Sequence, residues 1–426
     1  MNTAQPDFVE FPCPECAARL KVGAMLIGSQ AKCPKCERVT TVPAPSAPLD
    51  SKPTSTSEPK PSQTPSDSAP IEPLVVAKGR PQPRGSAANV LSSAQGKIHK
   101  SIESELGADT PARKLYQKIN AEISKVFVGQ DDLVLGTLVA LFSGGHVLIE
   151  SVPGLGKTLF VRTLGKILGC DFGRIQFTAD LMPSDITGSP IFNMKNQEFE
   201  FRPGPVFTQL LLADEINRSP AKTHAALLEI MQEKRVTVDG ITHELDFPFL
   251  VVATQNPIES EGTYNLPEAQ LDRFMFKLMA DYPSEDQEAR ILTMHGGQED
   301  LSHRLNEEIV AVTSPAEINA MTKQNALVRI DPLLVSYINK IVRLTRQWPQ
   351  FYIGASPRAG IALMQGARTL AAICGRDYAV PDDVAQIVLP ALRHRVQLTA
   401  EAEVEGQSVD LLLSDLIRTV EVPRLK

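Results

Sequence analysis

The stretch Ser151-Val152-Pro153-Gly154-Leu155-Gly156-Lys157-Thr158 constrains the fold more than any other part of the chain. It follows an apolar run at 146–150 and opens an amphipathic segment at 157–168. A strand that turns on glycines into a helix is half of a βα unit, because the helix must pack back onto the sheet that holds the strand. The backbone N–H groups of such a loop converge with the helix N-terminus on one point, a geometry suited to phosphate. Lys157 adds a point charge for the outer phosphates, and the Thr158 hydroxyl is placed to ligate Mg²⁺. A chance glycine turn before a helix is the competing reading.

A second motif weakens that alternative. Leu210-Leu211-Leu212-Ala213-Asp214-Glu215 is an apolar strand ending in two carboxylates. In a parallel sheet those carboxylates emerge at the C-terminal edge, beside the loop. Asp214 is expected to hold Mg²⁺ through water, and Glu215 to polarise an attacking water. Alone, the pair reads equally well as a buried strand with an acidic helix cap. A third strand at 249–254 runs into Gln255-Asn256. The Asn256 amide could orient the water or sense the γ-phosphate, although Asn256-Pro257 is also a turn signal.

Around these motifs strands alternate with helices, including helices expected at 112–126 and 131–143, so the core is α/β with a parallel sheet covered on both faces. After about residue 283 the pattern is helical only. Asp331-Pro332, Ser356-Pro357 and Val380-Pro381 each read as a helix start with a cap and a first-turn proline. The expected domains are an α/β nucleotide-binding core at 108–282 and an all-helical lid at 283–426, since 426 residues exceed one ordinary core. Residues 43–85 carry 11 prolines among many Ser and Thr, too little apolar surface to offset ordering, so 43–107 reads as a flexible linker.

Ahead of that linker, Cys13, Cys16, Cys33 and Cys36 form C-x₂-C-x₁₆-C-x₂-C within a module at 8–42. The spacing predicts a closed Cys₄ site for structural Zn²⁺, resembling a zinc ribbon. Two disulfides or a redox pair are the other readings, disfavoured in a reducing compartment. The ribbon's lysines are offset by glutamates, which favours docking to a protein over nucleic acid. Cys170 and Cys374 read as core residues. The net charge of −7 argues against a protein that coats DNA. No basic-then-apolar leader opens the chain, and Ser143, Gly144, Gly145 and His146 break its longest apolar stretch. A cytoplasmic location without membrane insertion is therefore expected.

Taken together, the motifs resemble the MoxR family of AAA+ ATPases, with a core of the helix-2-insert type. The resemblance covers about residues 108–400. It rests on Val128-Gly129-Gln130, Ala213-Asp-Glu-Ile-Asn-Arg218, Thr254-Gln-Asn-Pro257, Leu266-Pro-Glu-Ala-Gln-Leu-Asp-Arg273-Phe and Gly354-Ala-Ser-Pro-Arg358-Ala, in that order. It implies a homo-hexameric ring hydrolysing Mg·ATP between subunits. It implies that Gly129 and Gln130 line the adenine pocket, that Arg273 is an arginine finger reaching a neighbour's γ-phosphate, and that Arg358 is a second sensor on the lid. Such fingers are worth roughly 10³–10⁵ in rate. Ser151 departs from the first glycine of the general loop pattern. Two insertions, at 185–207 and 236–243, match hairpins that in similar proteins face the ring pore. The implied role is remodelling of a protein client, such as a von Willebrand A-type domain protein. A nucleic-acid-stimulated motor is the alternative, disfavoured by Asp239 at a hairpin tip.

Overall fold

The structure, a computed structural model, describes residues 8–12, 19–23, 30–32 and 39–41, and then 108–424 apart from 153, 257–263, 265, 297–304 and 306. The chain divides into two compact units between Gly79 and Arg80. In the first, β1 (Phe8–Pro12) pairs antiparallel with β2 (Arg19–Gly23), and β3 (Gln30–Lys32) with β4 (Val39–Thr41). In sequence, each hairpin brackets one cysteine pair. Cys13, Cys16, Cys33 and Cys36 lie outside the described residues.

The second unit starts with α1 (Pro111–Ile123) and α2 (Asp131–Phe142), and continues through β5 (Val147–Ser151), α3 (Lys157–Leu168) and β6 (Phe172–Gln176). Next come α4 (Pro183–Thr187), a hairpin of β7 (Gly188–Asn193) and β8 (Glu198–Pro203), and β9 (Leu210–Asp214). After α5 (Ala221–Glu233) stands a second hairpin, β10 (Arg235–Val238) and β11 (Ile241–Glu244), followed by β12 (Leu250–Gln255), α6 (Glu268–Leu271) and β13 (Phe276–Ala280). Five of these strands form one parallel sheet in the order β13-β5-β12-β9-β6.

Both faces of the sheet are covered, as an apolar parallel sheet requires. Alternate residues point to opposite faces. Val147, Ile149, Leu210, Leu212, Leu250 and Val252 join α1, α2, α3 and the later helices in one core. Leu148, Leu211, Ala213, Val251 and Ala253 pack with Leu227, Leu228 and Met231 of α5 in another. Leu212 is completely buried at the centre, so Leu212→Ala would cost roughly 2–5 kcal/mol.

Beyond β13 lie α7 (Glu285–His295), α8 (Pro315–Asn325), α9 (Pro332–Thr345), β14 (Phe351–Ile353), α10 (Pro357–Ile373), α11 (Pro381–Leu392), β15 (Gln397–Leu398), α12 (Ala400–Val404) and α13 (Val409–Thr419). The expectation of an all-helical lid is corrected here. Phe351 pairs with Leu398, and the Thr399 N–H donates to Gln350 O at 2.9 Å. These segments are two and three residues long, too short to show a period in sequence. Asp331 and Ser356 cap their helices as expected, each accepting a backbone N–H. Val380 does not cap with its side chain; the Asp383 carboxylate accepts the Val380 N–H at 2.8 Å. Among the described residues no helix is long and apolar enough to cross a membrane.

Candidate nucleotide site

Strand register gathers the carboxylates and the glycine loop on one edge. Gln176 stands opposite Asp214 across β6–β9, Ala213 opposite Ala253 across β9–β12, and Thr254 opposite Ile149 across β12–β5. Asp214, Glu215, Thr254 and Asn256 therefore lie at the C-terminal edge, where β5 leads into the loop. Ser151 is the last residue of β5, paired with Ala280 and buried. Its extended backbone needs no glycine, so the departure at this position leaves the loop's geometry intact. Gly154 and Gly156 do need their freedom, with φ of +86° and +73°. Gly156 caps α3 without a side chain, and Lys157 and Thr158 open the helix, half-buried. Pro153 lies outside the described residues; Val152 and Leu155 flank the turn, half-buried.

Thr254 organises the acidic pair. Its hydroxyl donates to Asp214 Oδ1 at 2.7 Å and accepts the Glu215 N–H at 2.9 Å. Glu215 takes a left-handed backbone, φ 55°, which turns its side chain off the strand line. Its Oε2 accepts from Gln176 Nε2 at 2.7 Å and faces Arg218 Nε at 3.2 Å. Arg174 Nη2 reaches Asp214 Oδ2 at 2.8 Å and Gln176 Oε1 at 2.6 Å. Arg174 and Gln176 are site residues that the sequence reading did not single out, and Arg218 and Thr254 stood in its motifs without a role. The first two were hidden because β6 was not recognised: only Ile175 of its five residues is buried. Asn256 follows the last residue of β12 and is buried.

Phe127, two residues before Gly129, lies against the loop helix. Phe127 packs on Phe160 with ring centroids 5.2 Å apart, and a Cβ on Gly156 would stand 3.7 Å from the Phe127 ring. Gln130, with φ 62°, opens α2 and donates from Nε2 to Asp281 O. Gln287 of α7 closes over Gly129, where an added Cβ would approach it to 2.9 Å.

The two predicted arginines sit elsewhere. The Met275 N–H donates to His146 O at 2.8 Å, and Phe276 stands opposite Val147. Arg273 thus precedes β13 at the N-terminal edge, the far side of the sheet from the glycine loop. A five-residue strand at about 3.3 Å per residue separates the edges by roughly 16 Å. Arg273 Nη1 donates to Leu228 O at 2.6 Å. Arg358, in the first turn of α10, lies 3.9 Å from Asp272 Oδ2. Arg273 and Arg358 line one cleft of about 380 Å³ with Gly145, His146, Met231 and Arg395. Beneath it, His146 Nδ1 accepts the Val251 N–H at 3.0 Å, which leaves Nε2 to donate to Met231 O at 3.1 Å. Burial pushes the His146 pKa down to about 4, so the ring is neutral near pH 7.

Both insertions are hairpins. Phe192 and Phe199 meet edge to face near the tip of the first, and Phe199 and Met194 are 73% and 86% exposed. The second turns at Asp239-Gly240, both with positive φ, as an Asp-Gly two-residue turn demands. His243 of the second hairpin stacks on Phe201 of the first, centroids 4.0 Å apart.

The profile of the family described as "ATPase family associated with various cellular activities (AAA)" matches residues 146–276, and that of the "AAA lid domain" matches 343–416. An uncharacterized Bacillus subtilis protein, YeaC, is 47% identical over 309 residues, spanning 72% of this chain and 95% of the relative. Chaperone MoxR1 of Mycobacterium tuberculosis is 42% identical over 315 residues, 71% of this chain and 81% of the relative. Protein MoxR of Methylorubrum extorquens is 31% identical over 333 residues, 73% and 95% respectively. The crystal structure of a provisionally assigned ATPase from Cytophaga hutchinsonii superposes with a TM-score of 0.68 at 38% identity, covering 79% of this chain and all of the other.

Proposed function

From the premise that this chain belongs to the MoxR family of AAA+ ATPases, we propose that it acts as a homo-hexameric ring whose ATPase sites are completed between subunits and drive remodelling of a protein partner. Hydrolysis of Mg·ATP follows from the family; the residue roles and the assembly are our reading.

The observation that carries it is the split of the site between opposite edges of one sheet. The glycine loop, Asp214 and Glu215 occupy one edge, and Arg273 and Arg358 the other. No side chain spans the strand between them, so a site needing both takes them from two subunits. A head-to-tail interface of this kind repeats into a ring when its rotation closes. Within one site Lys157 and the loop N–H groups hold the phosphates, and Thr158 and Asp214 hold the metal of the substrate. For Asp214 to serve, Arg174 must yield one carboxylate oxygen. Glu215, released from Gln176 and Arg218, takes the proton of the attacking water, which Asn256 orients. Arg273 and Arg358 of the neighbour offset charge on the γ-phosphoryl group.

A polypeptide client suits the hairpins better than nucleic acid. The first presents Phe192, Met194 and Phe199 to solvent, and the second carries Asp239 at its turn. A single cation, Lys195, stands among these apolar groups at the first tip, too little charge to track a phosphate backbone. A von Willebrand A-type domain protein is the partner suggested by the resemblance, in the cytoplasm. The Cys13, Cys16, Cys33 and Cys36 module is read as a zinc-held docking ribbon. Two short hairpins that bracket the cysteine pairs in sequence suit such a site.

The test is ATPase rate with single-stranded DNA and, separately, with an unfolded polypeptide. Stimulation by polypeptide alone supports the remodeller. Stimulation by DNA alone overturns it in favour of a nucleic-acid motor.

A further inference from the structure

We propose that Arg395 is the positioning residue that sets Arg273 for its neighbour's nucleotide, by fastening the chain on both sides of Arg273 to the lid. The proposal rests on reading Arg273 as a residue acting in the adjacent subunit.

Arg395 follows α11 and is 8% exposed. Its guanidinium spends its donors inside its own chain. Nε donates to Asp272 Oδ1 at 2.7 Å, and Nη2 to Asp272 O at 3.1 Å and Phe274 O at 2.6 Å. Nη1 donates to Met275 O at 3.0 Å and to Ala391 O. Four of these five contacts fall on residues 272, 274 and 275. Residue 273 is skipped, and its side chain turns instead into the cleft. A guanidinium has five N–H groups, so a side chain engaged this fully has none left for a phosphate. It acts through Arg273 and does not touch substrate.

The same bracket is gripped twice more from the lid side. His394 Nε2 lies 3.0 Å from Phe274 O. Ser356 Oγ, the cap of the helix bearing Arg358, donates to both Asp272 carboxylate oxygens at 2.9 and 3.1 Å. Arg273 and Arg358 are thereby tied to each other across the junction of the core turn 272–275 and the lid. A lysine at 395 keeps the charge beside Asp272 but cannot fork to three carbonyls. The 272–275 turn then loosens, and misplacement by about 1 Å costs about 10²-fold in rate.

The experiment compares Arg395→Lys alone with Arg395→Lys co-assembled with Lys157→Ala subunits. Arg273→Ala co-assembled with Lys157→Ala is the control. Alone, Arg395→Lys should lose about 10²-fold in kcat with KM within about 3-fold. Co-assembled, it should recover as much rate as the control mixture, because its intact loop then meets an intact Arg273 from the partner. Wild-type kcat in Arg395→Lys overturns the proposal. So does recovery in the control without recovery in the Arg395→Lys mixture, which would mean that the variant's own nucleotide site is damaged. Failure of the control itself to recover overturns the shared-site reading instead. If Arg395→Lys does not fold, Asp272→Asn enters the same mixtures with the same expected outcomes.

Discussion

Replacing Thr254 by valine removes one oxygen and keeps the shape of a completely buried side chain. That oxygen makes two bonds, one to Asp214 Oδ1 at 2.7 Å and one from the Glu215 N–H at 2.9 Å. The valine leaves a buried N–H without this acceptor, at roughly 1–3 kcal/mol, and removes a hydrogen bond to a charged group, at roughly 1.5–3 kcal/mol. Partial relaxation brings the expected loss of stability to about 3 kcal/mol. The kinetic consequence is separate. The substitution frees the N–H of Glu215, whose backbone is left-handed, and Asp214 loses one of two anchors. Displacement of either by about 1 Å predicts a fall in kcat of about 10²-fold. ATP affinity should change little, because the glycine loop is untouched. Urea unfolding, nucleotide titration and steady-state kinetics measure the three effects, and Thr254→Ser, which keeps the hydroxyl, should recover most of kcat. A Thr254→Val protein with kcat within about twofold of wild type would refute the claim that this hydroxyl organises the acidic pair.

Glu215→Gln should bind ATP normally and turn it over at least about 10²-fold more slowly; normal turnover removes this carboxylate from the mechanism. The pKa of His146, lowered by burial to about 4 from 6.5, makes the unfolded chain the stronger proton binder below pH 6.5. Its contribution is therefore complete above pH 6.5 and is lost as pH falls toward 4, about 3 kcal/mol in all. Unfolding free energies of wild type and His146→Gln should converge over that window, and parallel curves would contradict the assignment. Serines at Cys13 and Cys16 should abolish zinc binding, read with a chromogenic chelator, and leave ATPase rate per subunit within about twofold. Retained stoichiometric zinc would refute the ribbon.

The parts of this molecule that were legible in sequence are those where one local pattern decides the outcome. Ser151–Thr158 needs its glycines for backbone reasons that hold in any context, and 210–213 is apolar because both its faces are covered. Asp331 and Ser356 announced their helices because capping is local. What could not be read depends on pairing across distance. β6 carries Arg174 and Gln176 and buries only Ile175, so it shows no period, and β13 alternates over just five residues, too short a run to be told from a turn of helix. Without β6, Arg174 and Gln176, which hold Asp214 and Glu215, were invisible. Arg273 and Arg358 were found by resemblance alone. That they share an edge opposite the loop follows from strand register, which no motif encodes.

The central claim, that one active site is built from two subunits, is tested most directly by mixing Lys157→Ala with Arg273→Ala protein and measuring ATPase rate. Each variant should be inactive alone. Random co-assembly in equal amounts places an intact loop against an intact Arg273 at about a quarter of interfaces, so about a quarter of wild-type rate should return. A mixture as inactive as its components, in rings shown to exchange subunits, would contradict the account.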